Sequence, residues 1–196
     1  VHADASNFDS NVSKQEAYAQ VLEQARGLFF EQRNWHATPS PHLPSPLNTN
    51  LPLPTTATSP TPPPSSGTAS TPSPSPSNHT NWTGFYVLDP SSPPTTQLIL
   101  GPFQGKVACQ TIRFGRGVCG VAAQTKTTQV VGDVEMFPGH IACDAESKSE
   151  IVVPVIQNGE VVAIIDVDCA VKDAFDDEDK KALEELAQLI AESCDF

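Results

Sequence analysis

The sequence predicts an α+β fold in which helices pack on a central antiparallel sheet. Apolar residues recur at helical spacing near both ends of the chain, and short apolar strands separated by turn residues lie between them. Two of these strands flank Asn158-Gly159, a pair that favours a tight hairpin because both turn positions adopt positive φ. An order of helix, antiparallel strands and helix is typical of an α+β domain.

A first helix is predicted over residues 14 to about 33, after a polar N-terminus of residues 1–12 that we expect to be flexible. Ser13 and Glu16 have the spacing of a capping box. We expect the apolar face of this helix to pack on the sheet, and we assign residues 13–36 to the N-terminal helical segment of the domain. That face comprises Tyr18, Val21, Leu22, Ala25, Leu28 and Phe29.

Residues 37–80 differ sharply in composition from the rest of the chain. They contain 13 of the 19 prolines, many Ser and Thr, and no Asp, Glu, Lys, Arg or aromatic residue. Such a segment cannot bury enough apolar surface to offset its ordering entropy, so it predicts a disordered insertion with polyproline character. A ligand for an SH3-type domain is the alternative, although no Lys or Arg flanks the prolines to orient such a peptide.

A globular composition begins at residue 81 and continues to residue 196. Asp176 or Asp177 caps the last helix, and residues 132–149 form a long loop of the kind that is usually functional. The remaining predicted elements are strands at 84–89, 97–100 and 107–112, a short helix at 119–125, and strands at 128–131, 151–157 and 160–169.

Charge and cysteine content narrow the class of partner. The formal net charge of −12 argues against nucleic acid and anionic membranes, which need clustered Lys and Arg, and favours a small molecule or a protein. The apolar runs are far shorter than the roughly 20 residues of a membrane helix. Five cysteines, an odd number, and the lack of a secretion signal lead us to expect a cytoplasmic protein with reduced thiols.

Cys109, Cys119 and Cys143 fall within 35 residues, among glycines and carboxylates. Their spacing forms no C-x-x-C and no paired zinc knuckle, so it indicates a redox active site. For Cys143 the alternatives are a nucleophile on an open loop and a small buried hydrophobic residue, and the two neighbouring cysteines favour the nucleophile. Cys169 and Cys194 have the pattern of structural residues.

His140 lies three residues before Cys143 and leaves three interpretations open. It can belong to a metal site completed by Cys109 and Cys119, it can keep Cys143 as a thiolate, or it can bond a backbone carbonyl.

Two carboxylates and two aromatic residues indicate a binding site. Asp166 and Asp168 are two apart on one strand and therefore share a face, where Glu150 of the paired strand can join them. A ligand amine or a solvated strand end would accommodate these charges. Trp82 and Tyr86 also share a face, either as core residues or as the wall of a pocket.

Several segments resemble the free methionine-(R)-sulfoxide reductases, a family built on a single GAF domain. The resemblance covers about residues 13–33 and 81–196, and the spaced cysteine blocks make it specific. The segments are Asn81-Trp82, Gly84-Phe85-Tyr86, Leu100-Gly101-Pro102-Phe103-Gln104-Gly105-Lys106, Ala108-Cys109, Gly115-Arg116-Gly117-Val118-Cys119-Gly120, Gly139-His140-Ile141-Ala142-Cys143-Asp144 and Ser149-Glu150-Ile151.

The resemblance implies a GAF-like fold with residues 81–196 as the catalytic domain. It implies that Cys143 attacks the sulfur of free methionine-R-sulfoxide and becomes a sulfenic acid, that Cys119 or Cys109 resolves it to a disulfide, and that thioredoxin reduces this disulfide. The sequence leaves the choice between Cys119 and Cys109 open. The resemblance implies no metal or organic cofactor, and it implies a homodimer.

The resemblance also assigns the binding residues. Glu150, Asp166 and Asp168 match the carboxylates that hold the substrate amine and assist the sulfoxide oxygen, and Trp82 and Tyr86 match the aromatic wall around the methyl group. Two rival functions are a noncatalytic GAF sensor of a small molecule and a metal-bound structural module.

One departure from the family concerns the insertion. The family normally has a second helix between the first helix and the strand of Trp82, and the density of proline in 37–80 forbids a helix there. The consequence is an uncovered sheet face, a face covered by a partner subunit, or an unusual splice or gene model.

Overall fold

The computed structural model describes residues 12–29, 79–93, 96–106, 108–141 and 144–196. The predicted insertion therefore falls outside the described residues over 37–78, as does the N-terminus up to residue 11. The elements are α1 Lys14–Phe29, β1 Thr80–Leu88, β2 Gln97–Gly105, β3 Thr111–Arg113, α2 Gly117–Thr125, β4 Gln129–Val131, β5 Ser149–Gln157, β6 Glu160–Cys169 and α3 Asp177–Ser193.

The predicted α+β fold is confirmed. The strands form a six-stranded sheet in the order β3-β2-β1-β6-β5-β4, and every neighbouring pair is antiparallel. Side chains alternate between the two faces of the sheet. One face shares a hydrophobic cluster with α1 and α3, and the other shares a cluster with α2.

The β5–β6 hairpin forms at the predicted Asn-Gly turn. Asn158 has a φ of 54° and Gly159 a φ of 82°, the left-handed conformation that such a turn requires. From this turn the pairing runs along both strands to Ser149 and Cys169, with an irregularity after Val155. The turn therefore sets which side chains of β5 and β6 face each other.

The first helix begins as predicted and packs differently. The Ser13 and Glu16 side chains each accept the other's backbone N–H, as a capping box requires. Helix α1 lies mainly against α3 rather than on the sheet, and only Ala25 and Phe29 reach the hydrophobic cluster of the sheet. It ends at Phe29, and the predicted last turn falls outside the described residues.

Polar contacts fix α1 on the start of α3. Lys14 Nζ lies 2.7 Å from Asp176 Oδ2 and also pairs with Asp179, which Tyr18 Oη approaches to 2.6 Å as a donor. Asp179 is fully buried, so these two partners compensate the loss of its hydration. The sequence pattern of α1 gave no sign of this polar contact.

The first three strands differ from their predicted bounds. Strand β1 begins at Thr80, the last residue of the predicted insertion, rather than at residue 84. Strand β2 continues to Gly105, because its second half pairs with β1. Pro102 is tolerated there because β3 pairs only with the first residues of β2, which leaves the second half at the edge of the sheet. Residues 108–110 turn the chain back, so β3 covers Thr111–Arg113 rather than 107–112.

Among the described residues, none of the helices combines the length and the apolar character that crossing a lipid bilayer requires.

We expect the cap of α3 to contribute measurably to stability. Asp176 accepts hydrogen bonds from the N–H groups of Glu178 and Asp179. Replacing a cap of this type costs about 1 kcal/mol, with a range of about 0.5–2 kcal/mol. Asp176→Ala should therefore lower the free energy of unfolding, measured by urea denaturation, by about that amount, together with the smaller contribution of the ion pair between Asp176 and Lys14.

Glu178→Ala is the matched control, because Glu178 is an exposed acidic residue in the same first turn and is not the cap. Its loss should cost only a few tenths of a kcal/mol through the helix dipole. Equal losses for the two variants would contradict the assigned cap.

Candidate active site

Three acidic side chains project from the central strands on the face covered by α2. The β5–β6 register places Glu150 directly opposite Asp168 and Val152 opposite Asp166. Because directly opposed residues share a face, as do residues two apart on a strand, Glu150, Asp166 and Asp168 project together. Glu150 and Asp166 are only 6% and 5% exposed, so neither is a solvated strand end.

Cys119 lies over this acidic group, and helix α2 holds it there. Its Sγ is 3.1 Å from Asp166 Oδ2 and 3.5 Å from Glu150 Oε1, as a thiol donor. The next residue, Gly120, packs so closely on the preceding turn that a Cβ there would overlap the carbonyl oxygen of Arg113. A glycine at this position therefore lets α2 sit close enough for Cys119 to reach the carboxylates.

Burial keeps protons on this group. It raises the pKa of Glu150 to about 8 and that of Asp168 to about 6, and it raises the pKa of Asp166 well above its usual range. Burial, and next the negative charge of Asp166, also raises the pKa of the Cys119 thiol. At neutral pH the arrangement therefore favours a proton on Glu150 and on Cys119, and it disfavours the ionised form of Asp166, while Asp168 is mainly ionised.

An aromatic wall stands beside the acidic group. Trp82 pairs with Asp168 across β1 and β6, and its ring stacks on Tyr86 and on Phe103 with centroid distances of 5.8 and 5.7 Å. A Cβ at Gly84 would lie 2.5 Å from both Trp82 Cη2 and Phe103 Cβ, so this position admits only glycine. The backbone of β1 thus leaves the space that the stacked rings occupy.

Phe103 did not emerge as a site residue from the sequence. The predicted second strand ended at residue 100, which left Phe103 in a turn, whereas β2 continues and pairs Phe103 with Gly84. A signal is available once β2 is known to extend to Gly105. Gly105 pairs with Trp82, and Phe103 lies two residues before Gly105 on the same strand.

In the long loop, the described residues on either side of Cys143 contact α2 and β1, two of the elements that form the site. Ile141 packs against Gly117, where a Cβ would lie 3.6 Å from its side chain. On the other side, Asn81 Nδ2 donates to Asp144 Oδ2 over 3.3 Å. Cys143 itself lies outside the described residues.

The described cysteines differ in state. Cys109 is half-buried and disulfide-bonded, whereas Cys119, Cys169 and Cys194 are buried and form no disulfide. Burial lowers the pKa of His140, although the charge of Glu135 raises it to a smaller extent. The lowered pKa favours the neutral imidazole. A metal site that uses Cys109 as a thiolate ligand is incompatible with this disulfide.

The arrangement can bind a small cation beside an apolar group and can deliver a proton. An ionised carboxylate next to protonated carboxyls suits an ammonium group, and stacked rings suit a methyl group. A carboxyl whose pKa is raised to about 8 is a competent proton donor near neutral pH.

Comparisons with known proteins agree with one another. A family model described as a GAF domain matches residues 81–193. The chain is 46% identical to the free methionine-R-sulfoxide reductase of Saccharomyces cerevisiae over 196 residues, which is 100% of this chain and 95% of the yeast protein.

Two solved structures extend this similarity to the fold. One is fRMsr of Staphylococcus aureus in its reduced form, with a TM-score of 0.67, 36% identity, and coverage of 95% of this chain and 99% of that one. The other is the free methionine-R-sulfoxide reductase from Neisseria meningitidis in complex with its substrate, with a TM-score of 0.67, 31% identity, and coverage of 95% and 93%.

The buried Glu150 predicts a specific dependence of stability on pH. Its pKa rises from 4.5 in its ordinary state to about 8 in the folded protein, so the folded chain holds a proton that the unfolded chain loses in this interval. Its contribution to stability is therefore complete below about pH 4.5 and is lost as the pH rises to about 8. Each pH unit corresponds to at most about 1.4 kcal/mol.

Glu150→Gln should remove this contribution, so the free energy of unfolding should fall less steeply between about pH 5 and pH 8 than in the unmodified protein. Urea denaturation across this range measures the slope. Glu160→Gln is the control, because it makes the same chemical change at an exposed side chain of the hairpin. A Glu150→Gln protein with the full original slope would contradict the burial argument.

Proposed function

This chain belongs to the GAF-domain family and, within it, to the free methionine-R-sulfoxide reductases, and we propose that it reduces free L-methionine-(R)-sulfoxide to methionine. The observation that carries the proposal is the meeting of Glu150, Asp166 and Asp168 with Trp82 and Tyr86 on one face of the sheet. A free amino acid offers an ammonium group for the carboxylates and a methyl group for the rings.

Cys143 is the nucleophile of the proposed reaction. The described residues before and after it contact Gly117, two residues before Cys119 in α2, and Asn81, next to Trp82 in β1. Cys119 is less suited to this role, because burial and the adjacent carboxylates raise its pKa and disfavour the thiolate.

The first step transfers oxygen to sulfur. The Cys143 thiolate attacks the sulfoxide sulfur, the sulfoxide oxygen takes a proton, and methionine leaves as Cys143 becomes a sulfenic acid. The sulfoxide sulfur is reduced by two electrons and the cysteine sulfur is oxidised by two.

Cys109 resolves the sulfenic acid. Its thiol displaces water from the oxidised sulfur of Cys143 and forms a disulfide. Two facts support this choice over Cys119: Cys109 is the cysteine that is disulfide-bonded among those described, and Cys119 donates to carboxylates and forms no disulfide. The dithiol of thioredoxin then reduces this disulfide by exchange and is itself oxidised.

The carboxylates divide the remaining roles. Glu150 donates the proton to the sulfoxide oxygen, since its raised pKa of about 8 keeps it protonated at neutral pH. Asp168, with a pKa of about 6, is mainly ionised and holds the substrate ammonium. The Cys119 thiol contacts both Glu150 and Asp166 and so helps to position the proton donor.

The substrate is a free amino acid rather than a residue in a polypeptide. The acidic group recognises an ammonium that a peptide bond would remove, and the ring of Trp82 stacks on those of Tyr86 and Phe103 beside this group. We place this reaction in the cytoplasm, where thioredoxin keeps thiols reduced. The homodimer that the resemblance implies stays a prediction.

Cysteine variants should separate the two redox steps. After prior reduction and removal of the reductant, the unmodified protein should release one methionine per chain, measured by amino-acid analysis, because the two thiols supply only two electrons. Cys143→Ser should release none. Cys109→Ser should still release one methionine per chain and then fail to turn over with thioredoxin, because its sulfenic acid is not resolved.

Cys119→Ser is the matched variant for the resolving role. It keeps a hydroxyl donor near Asp166, so turnover with thioredoxin should continue, even if more slowly. If Cys119→Ser stopped after one methionine while Cys109→Ser turned over, Cys119 would be the resolving cysteine. Methionine release by Cys143→Ser would refute the nucleophile, and binding without any turnover by the unmodified protein would indicate a GAF sensor.

Variants of the carboxylates should separate proton transfer from binding. Glu150→Gln should lower kcat by about 10²–10⁴-fold, the usual contribution of a positioned acid. Activity of the unmodified protein should also fall as the pH rises through about 8, and this alkaline decline should disappear in the variant.

Asp168→Asn is the comparison, because it keeps the shape of the side chain and removes the charge that holds the ammonium. It should raise KM more than it lowers kcat. The assigned roles would be wrong if Glu150→Gln changed KM alone or if Asp168→Asn left KM unchanged.

A further inference from the structure

We propose that Cys119, Glu150 and Asp166 also form a binding site for a thiophilic divalent cation of the Zn²⁺ class. This site goes beyond the proposed reductase activity, and binding of the ion does not depend on that activity. The three side chains come from α2, β5 and β6, and one donor atom of each lies within 4.8 Å of the others.

The separations of the donor atoms match zinc coordination. Cys119 Sγ lies 3.1 Å from Asp166 Oδ2 and 3.5 Å from Glu150 Oε1. A tetrahedral zinc with a Zn–S bond of about 2.3 Å and a Zn–O bond of about 2.0 Å separates its sulfur and oxygen ligands by about 3.5 Å. The two sulfur–oxygen separations would therefore have to change by only a few tenths of an ångström to accommodate the ion.

A second observation, independent of these separations, points to a ligand. Asp166 Oδ1 is buried and has no hydrogen-bond partner within the described ranges. A buried carboxylate oxygen without a donor is costly, and either a cation or a proton relieves that cost. A proton between Asp166 and the adjacent Glu150 is thus the competitor that the metal ion displaces.

The surrounding charge also favours a cation. In the part of the chain that the structure describes, no Lys or Arg forms an ion pair with Glu150, Asp166 or Asp168. A divalent ion supplies the missing positive charge directly.

The donor set selects the kind of ion. One thiolate and two carboxylates suit borderline ions such as Zn²⁺, Co²⁺ and Cd²⁺, whereas Mg²⁺ and Ca²⁺ require six or more oxygen ligands. Three protein ligands leave a fourth position for water. The ion would occupy Glu150, to which we assign proton transfer, and would lie beside Asp168, which faces Glu150 and to which we assign the amine. It should therefore exclude the substrate, and that consequence rests on the proposed function.

The direct test is a titration of metal-free, fully reduced protein with Co²⁺. We expect binding of one ion per chain, with the near-ultraviolet charge-transfer absorption of a cobalt–thiolate bond. An equivalent of Zn²⁺ should abolish this absorption, and an excess of Mg²⁺ should not. Binding without the thiolate band, or no binding, would overturn the proposal.

Variants assign the ligands. Cys119→Ala should remove the thiolate band, and Glu150→Gln should weaken Co²⁺ binding by at least about tenfold, the scale of a lost ligand interaction. The double variant Cys109→Ser, Cys143→Ser should keep the band. Loss of the band in the double variant would show that the ion binds the other thiols, and it would overturn the proposal.

A variant that fails to fold would not leave the proposed metal site untested. Far-ultraviolet circular dichroism reports whether the Cys119→Ala variant is folded. If it is not, the Co²⁺ affinity of the conservative variant Glu150→Gln tests the site, and an unchanged affinity would count against it. Competition is measured with Cys143→Ser, which does not consume substrate. Free methionine-R-sulfoxide should weaken the binding of Co²⁺ to this variant. Absence of competition would refute the exclusion of substrate. Turnover by the metal-free unmodified protein tests the reductase activity separately.

Discussion

The burial of three carboxyl groups and a thiol on the central strands is the constraint on which the rest of the structure depends. Glu150, Asp166 and Cys119 are almost fully enclosed, and no cationic side chain within the described residues pairs with the two carboxyls. Such groups are costly to bury and remain near neutrality by holding protons. Strands β1, β5 and β6 must therefore be stable enough elsewhere to tolerate them.

The opposite face of the same strands supplies that stability. Ile151, Val153 and Ile165 alternate with the acidic residues and join the cluster beneath α3. A shift of one residue in the β5–β6 register would exchange the two faces, burying the carboxyls against α3 and exposing the apolar side chains. The Asn-Gly turn and the apolar layer thus hold the acidic group on the face of α2.

The sequence predicted the elements whose signals are local. The hairpin follows from one dipeptide, and the shared face of Asp166 and Asp168 follows from strand periodicity. The end of β2 and the position of β3 depend instead on pairing with a distant strand, which explains why Phe103 was missed. Likewise, α1 packs on α3 through Asp179, a contact between residues far apart in the sequence.

The difference between Cys109 and Cys119 shows where sequence spacing stops being informative. Both cysteines lie among glycines before Cys143, so neither pattern nor spacing ranks them. Their environments do, because the first turn of α2 carries Cys119 inward onto two carboxyls, whereas Cys109 lies half-buried in the connection before β3. A thiol among buried carboxyls resists ionisation and so is a poor partner for disulfide exchange. In the proposed reaction this environment leaves Cys119 outside the redox pair, and in the proposed metal site it places the Cys119 sulfur beside two carboxyl groups as a ligand.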